Sequence, residues 1–351
     1  MTIGGAEHVV VELVQCLRKL GYDVDVASFS IKHSVFMQQL IDCGCRVYTF
    51  GHSYYSLHYI YRLRKLIVQY DIVHTHNSSP QLFAVVANIG LGKKLVTTEH
   101  SSNNRKRHYW MTRLIDRWMY QHYDKIVCIS DIAAEQLIQA YDRVVQERIM
   151  VIDNGVDVNA IFHAEPDSDL VQLKQERKAI VMVAGFREAK DQDTLVHAME
   201  LLDPQLYEIW LVGIGVREPL LKNLVARLNL GDSIRFLGLR SDIPNVLKAA
   251  DIVVMSSHWE GLSLSNIEGM SVGKPFIASR VNGLKEVTEG YGVLFEHEDY
   301  HGLAAEIEHL GKDSQYYQQV ADACYERAKQ FDIGKMIAAY EKMYKRVVSI
   351  S

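Results

Sequence analysis

The sequence predicts an α/β protein built from two doubly wound, Rossmann-like domains. Short apolar runs rich in β-branched residues alternate with segments of helical periodicity, which is typical of parallel sheets covered by helices on both faces. The length of 351 residues suits two domains better than one. A turn signal, Asp153-Asn-Gly-Val-Asp157, interrupts the alternation near the middle of the chain. We therefore predict one domain over residues 1–157 and a second over residues 158–333.

Each predicted domain contains a set of short strands. In the first domain they lie at Asp23–Phe29, Arg46–Phe50, Ile72–His76, Leu95–Glu99, Ile126–Ile129 and Ile149–Ile152. After a polar connector over His163–Lys178, those of the second domain lie at Ala179–Ala184, Glu208–Val212, Ile234–Leu237, Asp251–Met255, Phe276–Ser279 and Gly292–Phe295. An apolar stripe within residues 334–351 predicts a terminal helix that crosses back onto the first domain.

The first domain lacks the strand expected ahead of its first helix, which starts at Gly4-Gly5-Ala6-Glu7. In a doubly wound sheet the first strand is central, so its loss would expose the edges of two neighbouring strands. We expect the natural chain to start upstream of Met1. A genuinely shorter sheet is the alternative.

The composition indicates a well-packed protein that does not bind nucleic acid, with a net charge of −5, 48% hydrophobic residues and only 6 prolines. The 5 cysteines show no metal-ligand spacing, and their odd number argues against a disulfide framework, which favours the cytoplasm. The longest apolar stretch, near residues 82–91, is too short to cross a bilayer, so any membrane contact would be peripheral, on the inner face of the cell membrane. Candidates for such contact, or simply solvated faces, are two basic clusters: Arg62, Arg64 and Lys65, and Arg105, Lys106 and Arg107.

The most informative local feature is a pair of glutamates, Glu260 and Glu268, on either side of a predicted strand-to-helix turn. A buried strand ends at Met255, and a short helix is predicted from Ser263 to Val272. On one continuous helix, eight steps of about 100° would leave the two carboxylates roughly 80° apart, so a bend is needed for both to face one cleft. The amides that open the helix would attract phosphate there. On spacing alone, a capped helix with two unrelated glutamates explains the pattern equally well.

Cations and histidines follow other predicted strands, at the carboxyl edge where open parallel sheets bind ligands. Arg187 and Lys190 could neutralise a diphosphate there, or they could pair on the surface with neighbouring acidic residues. His100 ends a strand of the first domain, where a structural role is as common as a functional one. His74 and His76 alternate along their strand and face one side, but no nearby cysteine or carboxylate completes a metal site.

In combination, these motifs resemble the large family 4 of retaining glycosyltransferases, which have the GT-B fold and use nucleotide-sugar donors. The resemblance covers nearly the whole chain. It rests on Gly4-Gly5-Ala6-Glu7, Asp71-Ile-Val-His-Thr-His76, Thr98-Glu-His100, Val127-Cys-Ile-Ser130, Ile152-Asp-Asn-Gly-Val-Asp157, the Arg187/Lys190 loop, Leu211-Val-Gly-Ile-Gly215, Phe236-Leu-Gly238 and the Glu260/Glu268 pair. It implies two domains that face each other across a cleft, with the acceptor on the first and the nucleotide sugar on the second.

The resemblance implies four residues at the reaction centre. Arg187 and Lys190 would hold the diphosphate and stabilise it as its charge grows. Glu260 would place the transferred sugar, and His100 would reach that sugar near the reacting carbon. The family's commonest pattern has an arginine five residues before the lysine, where this chain has Gly185, so Arg187 would supply that cation from a shifted position.

Other residues would bind the rest of the donor. Glu268 would hold the ribose hydroxyls, and the backbone around Leu239 and Arg240 would meet the nucleobase. The backbone of Gly5 would support the diphosphate, and the amides that open the short helix would help to place the sugar. The implied donor-binding set is Gly5, Leu239, Arg240, Ser263, Leu264, Ser265 and Glu268.

The implied function is a metal-independent hexosyltransferase that takes a UDP-sugar or a GDP-sugar, needs no cofactor and retains configuration by same-face attack. The acceptor would be a glycan or a lipid-linked molecule in cell-surface polysaccharide synthesis, such as capsule or lipopolysaccharide. One alternative is a hydrolysing nucleotide-sugar 2-epimerase with the same two-domain fold. Another is a non-catalytic nucleotide-binding subunit that pairs with an active transferase.

Overall fold

The computed structural model of the protein describes residues 5–29, 34–51, 56–100, 110–141 and 143–349. The chain divides into two compact units. Unit 1 comprises the residues up to Asn154 together with those from Gly334 onward, and unit 2 comprises Gly155–Ile333. Each unit contains parallel strands alternating with helices, which confirms the predicted α/β class.

Unit 1 contains short strands that pair in parallel. They are β1 (Val26–Ser28), β2 (Val47–Thr49), β3 (Ile72–His76), β4 (Lys94–Glu99), β5 (Lys125–Cys128) and β6 (Ile149–Val151). β1 pairs with β2, and the other four form a second sheet in the order β3-β4-β5-β6. In β4 every residue after Lys94 is buried, as expected for a strand covered on both faces.

Helices connect the strands of unit 1, and a further helix precedes β1. They are α1 (Gly5–Lys19), α2 (Val35–Asp42), α3 (His58–Ile67), α4 (Ser78–Asn88), α5 (Trp110–Tyr120), α6 (Asp131–Tyr141) and α7 (Arg143–Gln146). Val11 and Val14 of α1 pack with Leu40 of α2 in one buried cluster. Ser34 begins α2, because its hydroxyl accepts a hydrogen bond from the Met37 N–H at 3.3 Å.

An apolar cavity of about 1130 Å³ lies between β1 and β3. Its lining includes Val14 of α1, Val26 of β1, Leu63 of α3 and Val73 of β3. Within the described part of the chain no strand precedes α1, and β1 and β3 share no hydrogen-bonded ladder. The cavity therefore lies where a doubly wound sheet would carry a central strand.

Unit 2 contains a single six-stranded parallel sheet. Its strands are β7 (Lys178–Val183), β8 (Tyr207–Val212), β9 (Ile234–Gly238), β10 (Ile252–Met255), β11 (Phe276–Ser279) and β12 (Val293–Phe295). Their order across the sheet is β12-β11-β10-β7-β8-β9. All residues of β8 and β10 are buried, because helices cover both faces of the sheet centre.

Helices connect the strands of unit 2. They are α8 (Val158–Phe162), α9 (Ser168–Lys174), α10 (Gln192–Met199), α11 (Glu218–Arg227), α12 (Ile243–Ala249), α13 (Leu264–Ser271), α14 (Lys285–Thr288), α15 (Tyr300–Lys312) and α16 (Ser314–Ala328). The prediction that His163–Lys178 is a plain connector was wrong, since α9 lies within it. The carboxylate of Asp167 caps α9 by accepting from the Leu170 N–H at 3.0 Å, and Leu170 is buried.

The last helix, α17 (Ile333–Ser349), belongs to unit 1 over nearly all of its length. The Tyr340 hydroxyl shares a hydrogen bond with Thr98 of β4 at 3.1 Å, and the Tyr344 hydroxyl shares one with His74 of β3 at 2.6 Å. Met343 is buried on the same stripe. These contacts confirm the prediction that the terminal helix crosses back to the first domain.

The first basic cluster proposed for membrane contact serves packing within unit 1. Arg62 donates to the carbonyls at the end of β2 at 2.9 and 3.1 Å, and Arg64 donates to the carbonyls at the end of α4 at 2.9 and 2.6 Å. The Lys65 ammonium lies 4.4 Å from the ring centroid of Tyr61. The second cluster, residues 105–107, lies outside the described residues. No helix in the described ranges is both long and apolar enough to span a bilayer.

Candidate active site

The strand order of unit 2 creates a crevice at the carboxyl edge of its sheet. β7 lies between β10 and β8, so the chain leaves β7 towards one side of the sheet and leaves β10 towards the other. Loops that diverge from neighbouring parallel strands open a crevice, and doubly wound sheets bind ligands there. The two loops that diverge here carry Arg187, Lys190 and Glu260. The fold therefore brings three of the four predicted reaction-centre residues to one edge.

Hydrogen bonds link the two loops next to Lys190. The loop after β7 ends in a 3₁₀ turn over Glu188–Lys190, and Asp191 follows with a φ of 45° and caps α10. Ser256, after β10, donates its hydroxyl to the Asp191 carbonyl at 2.6 Å. The His258 N–H donates to the carbonyl of Ala189 at 2.9 Å. These contacts hold the backbone around Lys190 against the loop that leads to Glu260.

Two glycines allow the loop after β8 to pack against the loop that carries Arg187. A Cβ atom on Gly213, whose φ is 140°, would lie 2.2 Å from the Ala184 carbonyl oxygen. A Cβ on Gly215 would lie 2.2 Å from the carbonyl oxygen of Phe186. Any side chain at either position would therefore displace the loop after β7.

Lys190 and Glu260 form an ion pair at the centre of this edge. The Lys190 ammonium donates to Glu260 Oε1, and the Ser257 hydroxyl donates to the same oxygen at 2.8 Å. Only 21% of the lysine side chain and 10% of the glutamate side chain are exposed. The partner of Lys190 is thus not one of its sequence neighbours but a residue 70 positions away. A half-buried ammonium with three donors is well suited to a phosphate group.

The second glutamate lies on α13, and Glu260 lies in the loop before it, as the sequence predicted. Ser263 begins α13 with an extended backbone, but its hydroxyl is 3.7 Å from the Met255 sulfur and does not accept from a helix amide. The Ser263 side chain therefore does not cap α13, because its hydroxyl points back to β10. The Asn266 side chain in the first turn is fully buried, and neither of its polar atoms has a partner among the described residues. The first turn of α13 is therefore polar, as a binding site for an anion requires.

Arg187 and Arg240 take no part in this ion pair. Arg187 is exposed and makes no ion pair with any described residue. The guanidinium of Arg240 is held by the carboxylates of Asp242 and Asp167, whose hydrogen bonds raise its pKa further above the ordinary value. Leu239 is 51% exposed beside it. The Arg240 side chain is thus committed to the protein, and its predicted contact with a nucleobase concerns the backbone.

His100 belongs to a cluster of three histidines in unit 1. His76 Nδ1 and His100 Nε2 share a hydrogen bond at 2.8 Å. The rings of His74 and His76 lie 4.2 Å apart, which confirms that they face one side. Both nitrogens of His74 are engaged, Nδ1 with Tyr344 at 2.6 Å and Nε2 with Thr98 at 2.8 Å, which leaves none for a metal ion.

Desolvation keeps these three imidazoles neutral. It lowers the pKa of His74 to about 3 and that of His100 to about 4, and it holds the pKa of His76 well below the ordinary value. A neutral imidazole can donate through one nitrogen and accept through the other. The cluster is therefore a source of oriented hydrogen bonds and carries no charge at neutral pH.

Gly5 is the first residue of α1 and is exposed. Gly4 and residues 101–104, which neighbour two predicted site residues, lie outside the described residues. The role of Gly5 in supporting a diphosphate stays a prediction.

Two polar residues of the crevice were not among the predicted site residues. Ser257 holds Glu260, and Asn266 lies in the turn that begins α13. A usable signal for Ser257 was its place two residues after the end of β10, at the ligand-binding edge of the sheet. Asn266 had no local signal, because its burial depends on the packing of the whole unit.

Comparison with known proteins identifies two family models that match this chain. Glycosyltransferase Family 4 matches residues 3–160, and Glycosyl transferases group 1 matches residues 165–331. Together these matches include every site residue predicted from the sequence.

Two relatives of similar sequence are bacterial proteins named as glycosyltransferases. An uncharacterized glycosyltransferase of Haemophilus influenzae is 27% identical, over 96% of this chain and 95% of the relative. The UDP-Gal:alpha-D-GlcNAc-diphosphoundecaprenol alpha-1,3-galactosyltransferase of Escherichia coli is 29% identical, over 65% of this chain and 62% of the relative.

A solved structure of the same fold covers almost the entire chain. HepE of Anabaena in complex with UDP superposes with a TM-score of 0.85 at 22% identity, over 98% of this chain and 96% of that protein. The same protein was also solved with UDP-glucose, at the same TM-score. The likeness establishes the GT-B fold class.

Proposed function

Because the chain belongs to glycosyltransferase family 4, and is a nucleotide-sugar glycosyltransferase, we propose that it transfers a hexose from a UDP-sugar to a glycan or lipid-linked acceptor. We further propose that the configuration at the transferred carbon is retained and that no metal ion takes part. The observation that carries the proposal is the half-buried Lys190–Glu260 pair at the switch point of the unit 2 sheet, next to the start of α13.

Lys190 and α13 would stabilise the leaving group. Cleavage of the bond between the anomeric carbon and the diphosphate leaves negative charge on the diphosphate and positive character on the sugar. An ammonium and a helix N-terminus, both fixed in place before the reaction, favour that charge as it grows. Arg187, exposed and without an ion pair among the described residues, would add a second cation. Glu260 would exchange its contact with Lys190 for one with the sugar.

Retention would follow from attack on the face that the diphosphate leaves. The acceptor oxygen forms a bond to the anomeric carbon as the bond from that carbon to the diphosphate oxygen breaks. The acceptor proton passes to an oxygen of the leaving phosphate, so no separate base is required. His100, neutral because of its lowered pKa, would donate or accept a hydrogen bond at the sugar without adding charge.

Glu268 would anchor the ribose hydroxyls, and the backbone at Leu239 and Arg240 would meet the base. The polar first turn of α13, from Leu264 and Ser265 onward, would support the sugar and phosphates, and Gly5 would contribute backbone contact to the diphosphate. These assignments follow the family resemblance. The uncapped start of α13 and the half-buried Glu268 on that helix support them.

The names of related proteins support UDP as the nucleotide of the donor. The Escherichia coli relative is named for UDP-Gal, and HepE was solved with UDP and with UDP-glucose. The same Escherichia coli name specifies a diphosphoundecaprenol acceptor, which supports a lipid-linked acceptor in polysaccharide assembly at the inner face of the cell membrane. Unit 1 would bind that acceptor.

A nucleotide panel tests the proposal. The full chain is mixed with UDP, GDP, ADP and their sugars, and its thermal stability is measured, since a ligand that binds the folded state raises apparent stability. We expect UDP and one UDP-hexose to raise the melting temperature. We also expect slow release of UDP from that donor and transfer to a lipid-linked glycan.

The same panel separates this function from others. A changed hexosamine in the absence of acceptor would indicate an epimerase. Nucleotide binding with neither hydrolysis nor transfer, across broad donor and acceptor panels, would indicate a non-catalytic subunit. Absence of a shift with every nucleotide would contradict the transferase assignment.

A further inference from the structure

A second cluster of potential ligand atoms lies on unit 2, on the loops that follow β10 and β12. His258 Nδ1 is 2.7 Å from His297 Nε2 and 3.5 Å from Glu298 Oε1, and His297 Nε2 is 3.9 Å from Glu298 Oε1. Within the described part of the chain, this is the one group of three histidine, cysteine or carboxylate side chains whose ligand atoms converge in this way.

The separations suit a tetrahedral metal ion. With bonds of about 2.0–2.1 Å to nitrogen and oxygen, two ligand atoms on one zinc ion lie about 3.3 Å apart. The three observed separations lie on both sides of that value, so an ion would need ligand movements of less than about 1 Å. Two imidazoles with one carboxylate, and an open fourth position, form a common ligand set for zinc and its neighbours.

Charge and backbone conformation also favour a cation here. The buried carboxylate of Asp191 lies 3.8 Å from His258 Nδ1, so two carboxylates flank that one nitrogen. Glu298 adopts a φ of 62°, which is costly for a residue with a side chain, and its carboxylate lies 3.5 Å from His258 Nδ1. Glu298 is 63% exposed and His297 42%, so an ion could enter from solvent.

We propose that His258, His297 and Glu298 bind one divalent transition-metal ion, for which zinc is the best match. The ion would tie the loop after β12 to the loop that carries Glu260. Because the His258 N–H also holds Ala189, next to Lys190, the ion would stiffen the backbone around the ion pair. The site lies beside the residues proposed for the diphosphate and includes none of them, so the chemistry proposed above proceeds without this ion.

Calorimetric titration of the full, metal-stripped chain with zinc chloride, in a buffer that does not chelate metal, tests the proposal. No nucleotide is added, so the result does not depend on the proposed transferase activity. We expect one saturable equivalent per chain. We expect His297→Ala and Glu298→Gln each to weaken binding by at least about tenfold, since loss of a supporting group alone costs 10- to 100-fold.

The control is His301→Ala, which removes an exposed histidine of α15 that stacks on Tyr300 and offers no ligand atom to the cluster. It should bind zinc like the wild type. Cobalt should give visible absorption bands in the wild type and the control that are lost in His297→Ala. Circular dichroism of each variant checks that the fold is retained. Failure to saturate at one equivalent, or equal affinity in the wild type and His297→Ala, would overturn the proposal.

Discussion

At the scale of single residues, the ion pair between Lys190 and Glu260 links the structure to the proposed chemistry. Each side chain is largely withdrawn from water, so removing one partner would leave the other partly buried and without its counter-ion. A diphosphate that displaces Glu260 supplies a new counter-ion for Lys190. The contact with Glu260 therefore holds the Lys190 side chain in place at this edge of the sheet.

Replacement of Lys190 by alanine should remove a charge that matters most in the transition state. We expect kcat to fall by about 10²- to 10³-fold, the cost of losing one oriented donor to a developing anion. Steady-state transfer kinetics measure it. Lys222→Ala is the control, because Lys222 is an exposed lysine paired with Glu218 on α11. A Lys190→Ala enzyme with the kcat of the Lys222→Ala enzyme would contradict the assignment.

Replacement of Glu268 by alanine should act on binding more than on turnover. If Glu268 holds the ribose, the lost charged hydrogen bonds should raise the dissociation constant for UDP by about tenfold or more. Calorimetric titration with UDP measures this. Glu289→Ala removes an exposed glutamate of the same unit that pairs with Arg280, and it should bind UDP normally. Equal UDP affinity in the Glu268→Ala variant and the wild type would exclude the ribose role.

The histidine cluster predicts a stability that depends on pH. The folded-state pKa values of His74 and His100 are about 3 and about 4, below the ordinary value of about 6.5, so the unfolded chain binds protons more readily. Stability should be complete above about pH 6.5 and should fall as the pH drops towards 4. Thermal melts from pH 7.5 to 4.5 measure this. Replacing His74 by glutamine should flatten the dependence, while His58→Gln, at an exposed site, should not.

At the scale of elements, the site depends on how closely two loops of unit 2 approach each other. Gly213 and Gly215 bring the loop after β8 against the backbone that leads to Arg187. The position of the cations is therefore set partly by residues that need not contact the donor.

Gly213→Ala tests this dependence. The added Cβ would meet the Ala184 carbonyl at 2.2 Å, so the loop after β7 must move. We expect a loss of thermal stability of roughly 5 °C, from overpacking of about 1–3 kcal/mol, together with weaker donor binding. Gly231→Ala is a matched control, because a Cβ there would meet nothing within 4 Å. If both variants bind UDP and melt like the wild type, the close packing of these loops affects neither donor binding nor stability.

At the scale of the whole molecule, the terminal helix completes unit 1. α17 contributes Tyr340 and Tyr344, whose hydroxyls join the network of Thr98 and His74. It also borders the cavity between β1 and β3 through Val348. A unit with a cavity of this size has fewer contacts to hold its strands, so it should depend strongly on α17.

Deletion of residues 334–351 should therefore loosen unit 1 selectively. We expect faster amide hydrogen exchange in β3 and β4, which lose their contacts with α17, and unchanged exchange in β8 and β10 of unit 2. Hydrogen exchange measured by mass spectrometry on peptides from each strand tests this expectation. An equal increase in exchange rate in both units would mean that the helix does not stabilise unit 1 selectively.

Much of the fold could be predicted because its signals are local. Apolar β-branched runs and helical periodicity report the burial of each segment, whatever lies next to it. The same reasoning placed Glu260 before a short helix and Glu268 within it, and it predicted the return of the terminal helix from its apolar stripe. It erred over α9, because periodicity does not report the Asp167 carboxylate that caps this helix.

The sequence by itself thus determined the fold class, the edge of each sheet that carries polar residues, and the family to which the chain belongs. Only the tertiary structure decided which of those residues meet. Lys190 pairs with Glu260 rather than with its neighbours because β7 and β10 are adjacent in the sheet, and strand order is a property of the whole unit. Arg62, Arg64 and Arg240 bind protein oxygens for the same reason: the choice of partner depends on distances between segments that are remote in sequence.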